Sequence, residues 1–216
     1  MNISITLIIV IMTSLVSWQA FNNPEMKAKF LFRPVDIARG EYHRWLTGGF
    51  IHADLIHLMV NMYVLYTFGE YVEQLFIKVL FGELWGRMAY IAFYLLAIVV
   101  AGIPTYFRHK DNFAYSALGA SGATSAVIFA FIITNPWAGL TLLILPFFSI
   151  PALFLGIVYL IYSNYMDKKG IDNIGHNAHF TGAVFGVVFI IGAALLMNPF
   201  YFQHMLQQIA MGPWAQ

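Results

Sequence analysis

The sequence predicts an all-α polytopic membrane protein, a bundle of six spans, on three observations. Of its 216 residues 60% are apolar and 10% charged, whereas a soluble domain carries roughly 25% charged residues. The charged residues cluster, and the gaps between clusters have the length of membrane helices. The apolar residues come in runs and do not alternate, which argues against a β-barrel. A net charge of +1 implies no nucleic-acid or other polyanion partner. With no cysteine there is no disulfide, no Cys-ligated zinc and no thiol nucleophile.

A bilayer core about 30 Å thick takes about 20 helical residues. Met1–Asn23 has no Asp, Glu, Lys or Arg and makes a first span. It has no basic residue in front and no clear small-residue cleavage site, so it reads as a retained span and not as a signal peptide. Residues 24–52 mix Glu25, Lys27, Lys29, Arg33, Asp36, Arg39, Glu41 and Arg44 with Phe30, Phe32, Trp45 and Phe50, the composition of a folded loop at the membrane surface. Leu55–Gly69 is a second, short span, Glu70–Arg87 a polar connector, and Met88–Tyr106 a third span ending near Pro104.

From Asn112 to Met166 there is no Asp, Glu, Lys or Arg. As one helix this stretch would measure roughly 80 Å at 1.5 Å per residue, too long for one crossing. Asn135-Pro136-Trp137-Ala138-Gly139 breaks it, and Pro146 and Pro151 follow. The fourth span is therefore placed over Tyr115–Thr134, a re-entrant or interfacial connector after it, and a fifth span from near Pro151 to Asp167-Lys168-Lys169-Gly170. Asn177–Met197 makes the sixth, stopped by Asn198-Pro199, and the tail 198–216 lies at the interface. All of 1–216 thus forms a single domain. Lys and Arg number nine in the 1–2, 3–4 and 5–6 loops against two, Lys78 and Arg87, on the other face. By the positive-inside rule this bias puts the termini outside.

Polar groups inside apolar helices are costly and need a partner or a task. His57 and Asn61 are four apart and share a helix face, whereas His52 would point elsewhere on the same helix. Gly119-Ala120-Ser121-Gly122-Ala123 puts a serine among small residues. His176 and His179 precede Gly182-x-x-x-Gly186, a close-approach face that includes His179. Each piece alone is explained by helix packing. Together they supply a nucleophile that needs an adjacent base, a neutral imidazole to serve as that base, and donors for a developing oxyanion. A His-Glu-x-x-His zinc motif is missing, since Leu58-Met59-Val60-Asn61 follows His57, and no Asp lies within the spans for an aspartyl protease. No metal or cofactor is implied.

In family order, the motifs Arg44-Trp45-Leu46-Thr47 with His52, His57 and Asn61-Met62, then Gly119-Ala120-Ser121-Gly122, then Asp172-Asn173 and His176-Asn177-Ala178-His179 with Gly182 and Gly186 resemble those of the rhomboid intramembrane serine proteases. The resemblance covers roughly Glu41 to Gly186. It implies a rhomboid-like six-helix fold with a membrane-surface first loop and a Ser-His dyad that cleaves transmembrane protein substrates in or near their spans. Ser121 would be the nucleophile and His179 the base. His57, Asn61 and the Ser121 N–H would hold the oxyanion. Gly119, Gly122 and Gly182 would allow tight approach, Arg44 would structure the first loop, and His52 and His176 would flank a water-filled opening. It also implies a bacterial inner membrane, with cytoplasmic termini and a site opening outward, against the Lys and Arg bias. One departure is Ser125, where the family often has an aromatic residue packed on the imidazole. The alternative functions are a rhomboid-like pseudoprotease that binds client helices without cutting them, and a small transporter.

Overall fold

A computed structural model describes residues 3–142, 145–169 and 175–212. The described chain is mostly helical. Asp172-Asn173 and Gly170 lie outside the described residues.

Helix α1 spans Ile5–Phe21, with Ser4 as its N-cap. It has no acidic residue in its own first turn. Glu73 supplies one from another helix, accepting from Ile5 N at 2.9 Å, Thr6 N at 2.8 Å and Thr6 Oγ1 at 2.9 Å. The carboxylate of Glu73 is fully buried. Amide hydrogens and the positive helix end replace the water it has lost.

The first loop folds into three short helices, α2 (Pro24–Phe30), α3 (Pro34–Ala38) and α4 (Arg44–Thr47), the last followed by a 3₁₀ turn over Gly48–Phe50. Proline at the first position starts α2 and α3. Arg44 is buried at their centre. Its Nε donates to Glu41 at 2.7 Å, and its Nη1 donates to the carbonyls of Ala28 at 2.8 Å and Leu31 at 2.9 Å. Arg44 thus ties the loop to itself.

Helix α5 covers Leu55–Leu75 and runs on into a π-helical turn, Phe76–Phe81, which ends at Gly82 with φ +78°. Helix α6 follows at once, over Glu83–His109. The expected polar connector Glu70–Arg87 is therefore helical on both sides of one glycine. Glu73 in this stretch faces α1 and not water. Pro104 lies inside α6 and does not end it. Helix α7, Ser121–Thr134, is shorter than the expected Tyr115–Thr134. Phe32 and Ala117 pair as an isolated antiparallel bridge, which holds the approach to α7 extended.

The connector after α7 departs from the all-α expectation. Strands β1 (Gly139–Leu142) and β2 (Leu145–Pro151) pair antiparallel, with Leu140 opposite Ile150 and Thr141 opposite Ser149. Asn135-Pro136 stops the helix, and the β-branched and aromatic residues that follow suit a ribbon. Helix α8 spans Ala152–Lys169, α9 His176–Met197 and α10 Pro199–Met211. The tail expected at the interface is thus a helix, capped by Asn198.

Among the described residues, α6 and α9 are long and apolar enough to cross a membrane, and a third crossing results if α5 is joined to the Arg44–Phe50 segment, bent from it by 95°. Helices α1 and α7 are apolar but shorter. Phe93, Phe185 and Phe189 pack α6 on α9, and Phe76 of the π turn stacks on Phe189 at 5.9 Å.

Candidate active site

Three elements position Ser121. The first is the turn before α7. Gly119 has φ +111°, a conformation open to glycine, and its N–H donates to the Gly48 carbonyl at 2.9 Å. A Cβ on Gly119 would stand 2.9 Å from His57 Nε2, so the residue must also be small to admit that imidazole. The chain then enters α7 at Ser121. Its N-cap is Ala120, which makes no side-chain cap bond. The first turn of α7, at the positive end of the helix dipole, has no capping side chain.

The second element is the contact of α7 with α9. A Cβ on Gly182 would fall 2.0 Å from the Gly122 carbonyl oxygen, and one on Gly186 2.2 Å from that of Ala126. Backbone meets backbone along this seam. A Cβ on Gly122 would meet Ala101 at 2.5 Å and the Ala178 carbonyl at 3.4 Å. Ala178 immediately precedes His179, so the seam carries His179 to the Ser121 end of α7.

The third is the start of α5. Asp54 caps it, accepting from His57 N at 2.8 Å. One turn on, Asn61 is buried, with its Nδ2 donating to the His57 carbonyl at 2.9 Å. Thr124 Oγ1 of α7 donates to Asn61 Oδ1 at 3.1 Å, which fixes the amide's orientation. Ser121, His179, His57, Asn61, Gly119 and Gly122 all line one cleft of about 2130 Å³. Its walls include Tyr63 and Thr67 of α5 and Val158 and Tyr159 of α8.

His52 is placed differently from expectation. It lies in the extended segment before α5, so the helical-wheel argument does not apply to it. Its ring is edge-on to His57, with centroids 5.0 Å apart. It is fully buried and is not part of the cleft wall. Its Nε2 accepts the Ala120 N–H at 3.3 Å. Nδ1 therefore carries the proton and donates to Ser17 Oγ at 2.9 Å, and that hydroxyl donates to the Phe50 carbonyl at 3.0 Å. Burial, with His57 beside it, pushes this imidazole down to about 3, against a smaller upward pull from Asp54. His176 is likewise buried and not at an opening, edge-on to His179 at 5.9 Å.

Sequence reasoning missed Ser17 and Tyr159. Ser17 belongs to a buried stripe of α1, Thr6, Thr13, Ser17 and Ala20, whose spacing of seven, four and three marks a small-residue packing face. Tyr159 gives no such signal. It is one of several tyrosines on an apolar helix, and its ring stacks on His179 with centroids 6.2 Å apart and planes 21° from parallel.

The family model described as Rhomboid domain matches residues 39–198. A RHOMBOID-like protein 12, mitochondrial, of Arabidopsis thaliana is 30% identical over 181 residues, covering 80% of this chain and 53% of that protein. Presenilin-associated rhomboid-like protein A, mitochondrial, of Danio rerio is 33% identical over 146 residues, covering 66% of this chain and 35% of that protein. The human presenilin-associated rhomboid-like protein, mitochondrial, is 29% identical over 152 residues. The chain spans about half or less of the length of these relatives. Their names place them in mitochondria, which gives the expected bacterial membrane no support. The match of the family model over most of the chain means that the chain belongs to the rhomboid family.

Proposed function

We propose that the protein is an intramembrane serine endopeptidase that cleaves transmembrane proteins in or near their spans. The observation that carries this reading is the backbone seam between α7 and α9, where Gly182 and Gly186 abut the Gly122 and Ala126 carbonyls. A seam this close brings a histidine helix to the N-terminus of a serine helix inside one cleft.

Helices α1, α5, α6, α7, α8 and α9 are the six crossings of this reading. Helix α7 has 14 residues, and at 1.5 Å per residue its length of about 21 Å is less than the roughly 30 Å hydrocarbon core. Ser121 would then lie below the membrane surface, and the cleft would bring water down to it.

Ser121 Oγ attacks the scissile carbonyl carbon while its proton passes to His179. The carbonyl oxygen becomes an oxyanion. It is held by the first N–H groups of α7, the His57 ring and the Asn61 N–H bond not used on the His57 carbonyl. The C–N bond then breaks, and His179 returns the proton to the leaving amine. Water, deprotonated by His179, releases the acyl group and restores Ser121. The substrate backbone must be extended for this attack, so helix-weakening residues near the scissile bond favour cleavage.

A fluorophosphonate probe tests the reading on purified protein in detergent. Wild type is expected to label, while Ser121→Ala stays silent and both Ser121→Ala and His179→Ala fail to turn over a model transmembrane substrate. His57→Ala or Asn61→Ala should lower the rate by about 10²–10³ if either carries a full oxyanion contact. Wild type that neither labels nor cuts in any lipid or detergent, while still binding client helices, would make the protein a scaffold. Solute uptake into liposomes would mark a transporter.

A further inference from the structure

On the reading that His179 is the base, we propose that Tyr159 is its positioning residue, anchored by Ser125, so that the orientation of the imidazole depends on how α8 is seated. Tyr159 reaches His179 from a different helix. The near-parallel rings, 6.2 Å between centroids and 21° apart, form an offset stack. On the α7 side the Tyr159 ring meets Phe129 at 6.0 Å. Its Oη lies 3.2 Å from Ser125 Oγ, and Ser125 is 3% exposed. A phenol ring held at its tip by a buried hydroxyl has little freedom to tilt. His176 meets the edge of the same imidazole at 5.9 Å. The imidazole is thus bounded on a face by α8 and on an edge by its own helix.

The local sequence of α8 permits this reach. Gly156, one turn before Tyr159, faces α7, and a Cβ there would stand 3.0 Å from Ile132 Cδ1 and 3.3 Å from Phe129 Cε1. A larger residue would hold α8 off α7 and withdraw the ring. Tyr159 also lines the cleft. A transmembrane segment that displaces α8 while occupying the cleft would therefore carry the ring, and with it the support of the base. A base needs its lone pair aimed at the nucleophile, and misplacement by about 1 Å can cost about 10²-fold in rate.

The test uses the full chain, a model transmembrane substrate and a small fluorophosphonate. Tyr159→Leu is expected to lower kcat by about 100-fold, with KM within about twofold of wild type. The labelling rate of the small probe should fall in parallel, because the probe does not need α8 to bind it. Tyr159→Phe keeps the ring and should lie within about fivefold of wild type, the effect of one hydrogen bond. Ser125→Ala should match it, and the Tyr159→Phe/Ser125→Ala pair should lose no more than either alone, because both remove one shared bond. Tyr159→Leu turning over as wild type, a change in KM alone, or additive losses in the pair would each overturn the proposal. Thermal melting checks that Tyr159→Leu folds, and if it does not, the conservative pair decides. Labelling that persists in Ser121→Ala sinks the dyad reading instead. A silent Ser121→Ala with an unimpaired Tyr159→Leu sinks only the role of Tyr159.

Discussion

Ala120 gives its backbone N–H to His52, and this bond decides the chemistry of a buried imidazole. Nε2 must be the acceptor, so His52 is neutral in the fold, with its proton on Nδ1 facing Ser17. A second proton would set two N–H groups against each other at the turn that presents Ser121. In the unfolded chain a histidine titrates near 6.5, whereas here burial holds it down to about 3. Between these values the unfolded chain binds more protons, so stability rises with pH and is lost as pH falls through that window. The slope is about 1.4 kcal/mol per pH unit within the window. This group should therefore cost wild type about 1.6 kcal/mol between pH 6.5 and pH 5, read as a drop in melting temperature in detergent. His52→Gln should melt lower at pH 7 but show a flatter pH dependence. An equal slope in both proteins would show that another group carries it. His52 was visible in the sequence as a motif histidine, but its role was not, because its partners Ser17 and Ala120 are distant in the chain.

At the scale of elements, the seam between α7 and α9 determines what the fold can do, and the glycines that make it were legible. Gly182 and Gly186 are spaced to share a helix face, and the structure sets both against α7 carbonyls. Gly192 lies on the same helix, and a Cβ there meets nothing within 4 Å. The two positions give opposite expectations for the same substitution. Gly182→Ala puts a methyl 2.0 Å from a carbonyl oxygen, so it should force the helices apart, lower the melting temperature and abolish labelling of Ser121. Gly192→Ala should leave activity unchanged and stabilise by about 0.5–1 kcal/mol through helix propensity. Equal tolerance at both sites would mean that the seam is not needed. The helix boundaries were less legible than the seam. Composition alone placed Glu73 in a connector, because a carboxylate that caps another helix resembles a solvated one in sequence. The pairing of β1 with β2 left no trace for the same reason, since an apolar run with prolines fits a ribbon as well as a re-entrant loop. The stacking of Tyr159 on His179 depends on the approach of α8, which no local pattern encodes.

Across the whole molecule, the polar groups divide between two ends. Ser121, the start of α5 and the first loop gather at one end, where Gly119 bonds to Gly48. The other end collects the first turn of α1 on Glu73 and the start of α10, where Asn198 Nδ2 donates to the Val79 carbonyl at 3.1 Å. The starts of α1 and α10 thus lie at the end away from Ser121. Many cations at the Ser121 end are engaged with the fold: Arg33 with Asp36 at 2.9 Å, Arg44 with Glu41 at 2.7 Å, and Arg108 with Asp167 at 3.0 Å. The Lys and Arg bias counts charges that could flank a span, but in the first loop Lys27, Lys29 and Arg44 lie within short helices, and Arg33 and Arg39 cap α3. The geometry therefore leads to an expectation that does not depend on which compartment faces which end. In sealed vesicles of uniform orientation, a membrane-impermeant fluorophosphonate should reach Ser121 from one side, and a C-terminal tag should be cut by protease only from the other. Tag and Ser121 accessible from the same side would require an even number of crossings between them, whereas the six-helix reading has three (α7, α8 and α9), and would break that reading. Opposite accessibility, with the tag on the cytoplasmic side, would overrule the charge bias.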